Sequence, residues 1–447
     1  MASGAPARRR GEERGGMRRL NLFQAMMLRW RELYPYSAVH AVRVDQPLNA
    51  TRLESIAAAM LEERGLTGLE LDARGGRCAW HGGPAGSRLH VVPASDDAPA
   101  SLDSEIERQL NVPFTADGKI DPFRFFAVNA GPSFYLALAY DHVVAGGDSV
   151  ARLLNAVVDR YEGATAAAEA AGSPYAPGYA RLFWREKRAL LAGLGALPRL
   201  AADCRRAVRP RYAAPEDGYN AFTRFTIDAA AQATLGRVAA AWKVSQQDLW
   251  LAIALLALSP LAAARASSPR RREIALASIL NIRHELGSAA ADAFGPCLAS
   301  FRVAHVVPPG VAPRELALAV HAQTDAIKRR KLYLQTLLAT ALAGFEWRFL
   351  SRARRLRFFA KHYPVSAGVT PLNVNALWRR DGRREPPPYV RAISTGPLAP
   401  MILGVTASGP VLNVGITFRT TVYSRDAVEG VAAGMLAAIG RLEAEAP

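Results

Sequence analysis

The segment YDHVVAGGD, Tyr140–Asp148, places a histidine between a predicted strand and a predicted helix. The run before it, Phe134–Tyr140, is apolar or small throughout, which is typical of a buried strand. After it, apolar residues recur at the spacing of one helix face: Val150, Leu153, Leu154, Val157 and Tyr161. We interpret Ser149 as the N-cap of this helix. The pattern therefore predicts that His142 lies on a glycine-rich turn at a strand end, where its edge faces a substrate.

This segment resembles the active-site motif of the chloramphenicol-acetyltransferase-like acyltransferases. That superfamily includes nonribosomal peptide condensation domains, the HxxxD acyltransferases and wax-ester synthases. The condensation form reads HHxxxDG, and Asp141–Gly147 aligns with it without a gap. Other segments agree with the family in order and spacing: Leu110–Phe114, Asp121–Arg124, Ser278–Arg283, Phe294–Cys297 and Val411–Phe418. The resemblance runs from about Leu20 to the end. It implies an α/β (α+β) fold of two chloramphenicol-acetyltransferase-like subdomains that meet in a V around a central tunnel.

The chain departs from that motif at two positions. Asp141 stands where the first motif histidine would be, and Gly146 stands where the motif aspartate would be. The resemblance implies that this aspartate is structural and pairs with the arginine matched by Arg283. Asp148 lies two residues further on, so we predict that it replaces the missing partner of Arg283. Without such a replacement, the loop would be held less firmly and activity would be in doubt.

His142 has the properties of a general base for acyl transfer. Histidine titrates near neutrality, so it can take a proton from an attacking hydroxyl or amine and return it. A direct attack needs no enzyme nucleophile, and the sequence shows no G-x-S-x-G elbow. We predict that backbone N–H groups of Gly146 and Gly147, or a group not identified from sequence, meet the oxyanion. The alternative is an ordinary histidine at a strand end; the flanking motifs favour the catalytic interpretation.

Cofactor chemistry is predicted to be limited to the donor substrate. The remaining histidines show no metal-ligand spacing with one another or with cysteines, so no metal site is predicted. The donor is expected to be an acyl-CoA or acyl-carrier-protein thioester, with no permanently bound cofactor. Three scattered cysteines favour a reducing cytoplasm without a disulfide framework.

Length and composition predict two large subdomains. The chain has 447 residues, of which 50% are hydrophobic, which is too long for one ordinary core. We assign 1–19 to a disordered basic tail, 20–180 to an N-terminal subdomain, 181–215 to a connector and 216–447 to a C-terminal subdomain. The tail is basic but no apolar segment of signal-peptide length follows it. The apolar run Leu249–Ala264 follows a capping box at Ser245–Asp248 and is predicted to be a buried core helix.

The formal net charge is +17, and part of it is concentrated in one region. Between 321 and 390 there are 14 Lys or Arg residues against four acids. A single helix over 345–361 would carry an apolar stripe (Phe345, Phe349, Leu356, Ala360) beside a basic one (Arg348, Arg352, Arg355). A solvated helix face is the first interpretation. Docking of an acyl carrier protein or of CoA phosphates is the second. Peripheral contact with an anionic membrane is the third, and nucleic acid ranks low.

Together these features predict a free-standing, condensation-like acyltransferase of specialised-metabolite or lipid biosynthesis. Two alternatives stay open. Gly146 is compatible with a non-catalytic scaffold or binding relative that has lost the motif aspartate. The basic amphipathic region is compatible with a membrane-associated wax-ester or glycolipid acyltransferase. The expected location is the cytoplasm, with the inner membrane face as the site in the second alternative.

Overall fold

Strands in the described residues form three sheets, and the two larger sheets belong mainly to different halves of the chain. The computed structural model describes residues 16–86, 88–163, 172–265, 268–378 and 385–445. The strands are β1 Arg18–Arg19, β2 Ser37–Val44, β3 Leu69–Asp72, β4 Arg77–Trp80, β5 His90–Val92, β6 Gly118–Ile120, β7 Phe123–Ala130, β8 Ser133–Asp141, β9 Asn220–Ile227, β10 Ile274–Asn281, β11 Leu298–His305, β12 Ala367–Asn373, β13 Tyr389–Ile393, β14 Met401–Ser408 and β15 Val411–Arg419.

Helices cover the sheets and connect the two halves. They are α1 Leu22–Arg31, α2 Ala50–Glu63, α3 Ala98–Asn111, α4 Gly147–Tyr161, α5 Ala180–Arg185, α6 Lys187–Arg206, α7 Ala229–Trp242, α8 Gln246–Arg265, α9 Ser288–Ala291, α10 Pro313–Arg329, α11 Tyr333–Trp347, α12 Arg352–His362, α13 Asn375–Trp378 and α14 Arg425–Ala444. A 3₁₀ turn at Arg283–Leu286 precedes α9. The predicted α/β class and the two-subdomain architecture are confirmed.

The N-terminal half is built on a five-stranded sheet with the order β13-β2-β8-β7-β5. Successive side chains of a strand point to opposite faces. One face of this sheet buries a cluster against α3 that includes Val39, Ala41, Ala137 and Ala139. The residues between them, among them His40 and Tyr140, therefore face the opposite way, and both line the cavity between the two large sheets.

Strand β13 crosses from the C-terminal half of the chain into the N-terminal sheet. It pairs antiparallel with β2, and Arg391 is opposite His40. Its backbone also packs closely on the second sheet, because a Cβ on Gly415 would lie only 2.1 Å from the carbonyl oxygen of Arg391. Glycine allows this approach. The predicted C-terminal subdomain 216–447 thus includes a strand that pairs with the N-terminal sheet; the domain bounds themselves stay a prediction.

The C-terminal half is built on a six-stranded mixed sheet with the order β11-β10-β12-β14-β15-β9. Helix α8 packs against this sheet and against α10 and α14. Its segment Gln246–Ala264 is the one helix in the described part of the chain that is long and apolar enough to cross a membrane. More than half of that segment is nevertheless buried, and Asp248 caps it by accepting from the backbone N–H and hydroxyl of Ser245. The prediction of a buried core helix is confirmed.

The basic region 345–361 is two helices rather than the single helix that we predicted. Helix α11 ends at Trp347 and α12 begins at Arg352, where the Ser351 side chain accepts from the Arg354 N–H. Arg352 donates to the carbonyls of Glu32 and Leu33 at the end of α1. A local cap and these tertiary contacts outweigh the continuous helical period.

Two residues of the predicted N-terminal tail, Arg18 and Arg19, lie in a strand. Residues 1–15 lie outside the described part of the chain, but Arg18 and Arg19 form β1 and pair with Cys78 and Arg77 of β4. The guanidinium of Arg18 also lies 4.5 Å from the ring centroid of Tyr175. Pairing to an existing strand edge therefore orders two residues that composition alone assigns to the tail. The predicted loops 162–180 and 379–388 lie partly outside the described residues, at 164–171 and 379–384.

Candidate active site

The loop that carries His142 is anchored at both ends by regular structure and from the side by α1. It follows β8 directly and leads into α4. The side chain of Gln24 donates to the carbonyl of Val143 at 2.8 Å, and that of Asn21 donates to the carbonyl of Pro296 at 2.9 Å. Asn21 and Gln24 form a capping box at the start of α1. One helix end thus binds both the histidine loop and a loop of the second half.

Asp141, at the first histidine position of the motif, is fully buried and does not line the cavity. Its carboxylate forms an ion pair with Arg31 of α1 and accepts from the N–H of Val143 at 3.1 Å. Burial lowers the pKa of Arg31 to about 10, so this arginine stays charged at neutral pH. These contacts connect Asp141 to α1 and to the loop, and its role in supporting the loop stays a prediction.

The imidazole of His142 is held in one tautomer. Its Nδ1 lies 3.2 Å from the carbonyl oxygen of Ala145. A carbonyl only accepts hydrogen bonds, so Nδ1 carries the proton and Nε2 keeps a free lone pair. Tyr36 stacks on the ring at a centroid distance of 5.4 Å, and Tyr140 packs edge-on at 5.8 Å. These aromatic contacts fix the plane of the ring. A general base needs such a fixed orientation before the substrate binds.

The environment of His142 favours its neutral form. Burial lowers the pKa of this histidine to about 4, and the charge of Arg391 acts in the same direction. The hydrogen bond with Ala145 opposes this shift but does not cancel it. At neutral pH the imidazole is therefore uncharged, and its Nε2 is able to accept a proton.

A cavity of about 150 Å³ lies between the two large sheets, with His142, Gly147 and Asp148 among its lining residues. Strands of the second half contribute Ile279 and Val369 to the opposite wall. Much of the remaining lining is apolar: Phe23, Met27, Trp30, Leu298, Leu372, Ile393 and Ile402. This is the place where the resemblance implies a tunnel; passage through the molecule from both faces stays a prediction.

Asp148 and Arg283 are in contact across the two halves. The Asp148 carboxylate lies 3.0 Å from Nη2 of Arg283 and 3.1 Å from Nε, and it accepts from Asn281 at 3.2 Å. Arg283 also donates to the carbonyls of Ala290 and Ala293. The guanidinium is therefore saturated with acceptors. The role of this pair in holding the loop for activity stays a prediction.

Helix α4 begins earlier than we predicted. Gly146 is its N-cap, and Ser149, which we interpreted as the cap, is buried in the first turn and accepts from Arg283 at 3.3 Å. A Cβ added at Gly146 would lie 2.8 Å from Oδ1 of Asp148. The Asp148 carboxylate thus occupies the space beside Gly146 into which a side chain at 146 would extend.

The cavity is lined by a second polar group, His40 with Tyr140, which the sequence analysis did not identify as part of the site. Nδ1 of His40 lies 2.7 Å from the hydroxyl of Tyr389, and its Nε2 lies 3.4 Å from the hydroxyl of Tyr140. Burial and the charge of Arg391 lower the pKa of His40 well below its usual range. Only Tyr140 gave a signal in the sequence, since it lies near the end of β8, two positions before His142.

The described residues contain no group of three His, Cys, Asp or Glu side chains that could hold a metal ion. Cys78, Cys204 and Cys297 are buried free thiols. Burial raises the pKa of Cys297 to about 11, so this thiol is a poor nucleophile at neutral pH. His142 is therefore the stronger candidate for proton transfer in the cavity.

No family model and no curated protein matches the sequence. The fold, in contrast, is similar to solved structures along nearly its whole length. The first condensation domain of the calcium-dependent antibiotic synthetase, in complex with a substrate analogue, superposes with a TM-score of 0.70 at 14% identity, covering 97% of this chain and 98% of that one.

Two further structures extend this similarity. A cyclization-docking bidomain, EpoB, from Sorangium cellulosum gives a TM-score of 0.70 at 12% identity, covering 96% of this chain and 85% of that one. The condensation domain of the Monacolin K polyketide synthase MokA gives a TM-score of 0.64 at 14% sequence identity, covering 96% of this chain and 97% of that one. At these identities the similarity shows the fold: this chain has the two-subdomain architecture of condensation domains.

Proposed function

We propose that this protein is an acyltransferase with His142 as its general base. It would move an acyl group from a thioester of CoA or of an acyl carrier protein to a hydroxyl or amine. The observation that carries the proposal is the tautomer of His142, whose Nδ1–H donates to Ala145 and leaves Nε2 unprotonated. The ring lines the cavity between the two large sheets, and we expect donor and acceptor to meet there. The condensation-domain fold supports this reaction class by analogy.

The proposed reaction uses one proton acceptor and no covalent enzyme intermediate. The acceptor O–H or N–H attacks the thioester carbonyl carbon while Nε2 of His142 takes its proton. The carbonyl oxygen becomes an oxyanion, for which the backbone N–H groups of Gly146 and Gly147 are the candidate donors. The carbon–sulfur bond then breaks, and the imidazolium returns the proton to the leaving thiolate. The products are an ester or amide and a free thiol.

The remaining motif residues would position this base. Asp141 is bound to Arg31 and to the Val143 N–H, which supports the turn on one side. Asp148 is bound to Arg283, which supports the start of α4 on the other. We infer that Asp148 supplies the function of the missing aspartate at Gly146. Proton transfer is assigned to His142 alone.

The test is product formation with purified protein. A panel of acyl-CoA and acyl-carrier thioesters is mixed with a small-molecule extract, and acylated products are sought by mass spectrometry. Product that disappears in His142→Ala, with His90→Ala as a control at an exposed histidine, supports the proposal. Equal product from wild type and His142→Ala would move the chemistry to another residue. Absence of product from both folded proteins favours the alternative of a non-catalytic binding or scaffold protein.

One surface feature favours a second candidate, action at a membrane surface on a lipid acceptor. Phe345 and Phe349 are 62% and 74% exposed and pack edge-on against each other at 5.4 Å. Leu342, one helical turn before Phe345, is 52% exposed. Arginines surround this apolar patch, although Arg352 and Arg355 are partly engaged with α1. Apolar side chains amid cations are the pattern of peripheral contact with anionic lipid.

Co-sedimentation with vesicles tests this candidate. Binding to vesicles of anionic lipid, weakened by added salt and by the double substitution Phe345→Ser and Phe349→Ser, supports it. Trp184→Ser is a matched control, because Trp184 is 76% exposed on another helix. Equal recovery of wild type and double variant with the vesicles would exclude this patch as the contact.

A further inference from the structure

The cavity contains a buried cation that the proposed reaction does not use. Arg391 lies on the crossing strand β13, is 5% exposed and lines the cavity together with His142. Its Nη1 is close to the histidine loop, because a Cβ at Gly147 would lie 3.4 Å from it. The guanidinium is thus placed within the cavity, between the two sheets.

Arg391 has too few partners for a buried guanidinium. Nη2 donates to the carbonyls of Thr370 and Val405, whereas Nε has no hydrogen-bond partner in the described residues. Among those residues no carboxylate forms an ion pair with it, since the nearby Asp148 is bound to Arg283. A buried charge without a counter-ion is costly, and its presence indicates that an anion occupies the site in the working state.

The neighbouring titratable groups do not supply that anion. Burial raises the pKa of the Tyr140 and Tyr389 hydroxyls, so both phenols stay neutral. His40 and His142 are neutral because burial lowers their pKa. Desolvation lowers the pKa of Arg391 itself to about 10, which still leaves it charged at neutral pH. The site therefore carries one uncompensated positive charge.

The shape of the lining defines what kind of anion fits. The walls beyond the guanidinium are mainly apolar, with Trp30, Ile279 and Val369 among them. Nη2 is already bound to two carbonyls, so Nε–H and the N–H groups of Nη1 are the donors left for a carboxylate, in charge-assisted hydrogen bonds. A ligand with an apolar body and a single terminal carboxylate matches both the charge and the walls. The several phosphates of CoA would place far more charge against this apolar lining.

We propose that Arg391 is the counter-ion for a carboxylate-bearing substrate of this cavity. The acyl donor or the acceptor would then be an apolar small molecule with a carboxylate at the end that faces Arg391, and its reacting group would face His142. This substrate class rests on the proposed function for its place in the reaction. The binding site itself does not depend on turnover.

Ligand-observed NMR with matched probes tests the proposal. The pairs hexanoate and hexanamide, and benzoate and benzamide, have nearly the same shape and differ in charge. Wild type is expected to bind each carboxylate at least about tenfold more tightly than its amide. Arg391→Met is expected to abolish that preference, and Arg391→Lys to keep part of it. Arg152→Met, which removes a cation outside this cavity, should behave as wild type.

Several outcomes would overturn the proposal. Equal affinity for carboxylate and amide in wild type is one. An unchanged preference in folded Arg391→Met is another, and equal competition by inorganic phosphate, which would indicate a general anion site, is a third. If Arg391→Met fails to fold, the probe preference of wild type and of Arg391→Lys carries the test. A preference for carboxylates without any acyl transfer would support the Arg391 site and contradict the proposed function. Acyl transfer without that preference would support the proposed function and contradict the Arg391 site.

Discussion

Two buried arginines lie close to the first turn of α4, and they differ in the hydrogen-bond acceptors that the rest of the protein offers them. Arg283 meets the Asp148 carboxylate, two backbone carbonyls and the Ser149 hydroxyl. Arg391 meets two carbonyls and leaves Nε without a partner. The first is bound on all sides within the chain, and the second is not. From this difference we propose that Arg283 serves the folded structure, whereas Arg391 serves a ligand.

The contrast separates three roles around one loop. In this proposal His142 accepts a proton, Arg283 connects the loop to the second half, and Arg391 binds an anion. If this division is right, substitutions should affect rate, stability and ligand binding separately. Each of the following experiments tests whether the three roles can be separated.

The largest effect is expected in rate for His142→Ala. Loss of a positioned general base should reduce acyl transfer by about 100- to 10,000-fold. The free energy of unfolding should change little, because the ring forms one hydrogen bond and lines a cavity. Rates are compared with those of His90→Ala, and unfolding is followed by circular dichroism in urea. If His142→Ala is also unfolded, the loss of rate would no longer distinguish a catalytic role of His142 from a structural one.

Asp148→Ala is expected to have the largest effect on stability. It leaves the mostly buried Arg283 without its carboxylate, which costs about 3 kcal/mol in comparable buried pairs. Activity should fall with stability, since the start of α4 loses its connection to the second half. Urea unfolding of Asp148→Ala beside Asp148→Asn measures the loss of charge separately from the loss of hydrogen bonds. No change in either stability or activity would show that the ion pair has no supporting role.

Moving the carboxylate back to the motif position is expected to have an intermediate effect. Gly146→Asp alone should destabilise the protein by about 1 kcal/mol, because its Cβ would lie 2.8 Å from the Asp148 carboxylate and both acids would compete for Arg283. The double variant Gly146→Asp with Asp148→Ser should recover most of that loss. The same unfolding experiment checks both. A double variant less stable than Gly146→Asp would mean that the loop cannot present a side chain from position 146.

A smaller effect concerns the titration of His142. Its pKa of about 4 lies below the ordinary value, so the imidazole stays neutral as the pH falls through 6.5 and becomes charged only near 4. Activity that depends on this base should therefore persist to about pH 5. NMR of histidine-labelled protein, with His142→Ala for assignment among eight histidines, measures the pKa directly. Tyr36→Ala removes the stacked ring and should raise it; a pKa near 6.5 in wild type contradicts the described environment.

The smallest effect is expected for the stability of Arg391→Met. Removing a buried cation without a counter-ion should change the free energy of unfolding by less than about 1 kcal/mol, or increase it. Asp148→Ala is the direct comparison in the same urea experiment. A loss as large as that of Asp148→Ala would show that Arg391 is a structural residue like Arg283, and the contrast between the two arginines would fail.

Local sequence was sufficient for the elements that carry the histidine. The apolar run before Tyr140 and the helical period after Asp148 predicted β8, α4 and the turn between them. The contact of Asp148 with Arg283, which the spacing and the resemblance led us to expect, is present. The N-cap prediction was wrong because the Ser149 hydroxyl accepts a hydrogen bond from Arg283, a residue 134 positions away. The periodicity of neighbouring residues gives no information on whether a distant arginine binds the Ser149 hydroxyl in place of the helix N-terminus.

The sequence by itself determined most strands and helices and the loop that carries His142, because these features depend on spacings of two to four residues. Only the tertiary structure decided what surrounds His142. His40, Tyr389 and Arg391 come together because β13 crosses between the sheets and pairs with β2 in one register. The same holds for the break in the basic helix, where Arg352 binds the end of α1. Pairings between strands and contacts between distant helices are set by global packing, and no local pattern specifies their partner.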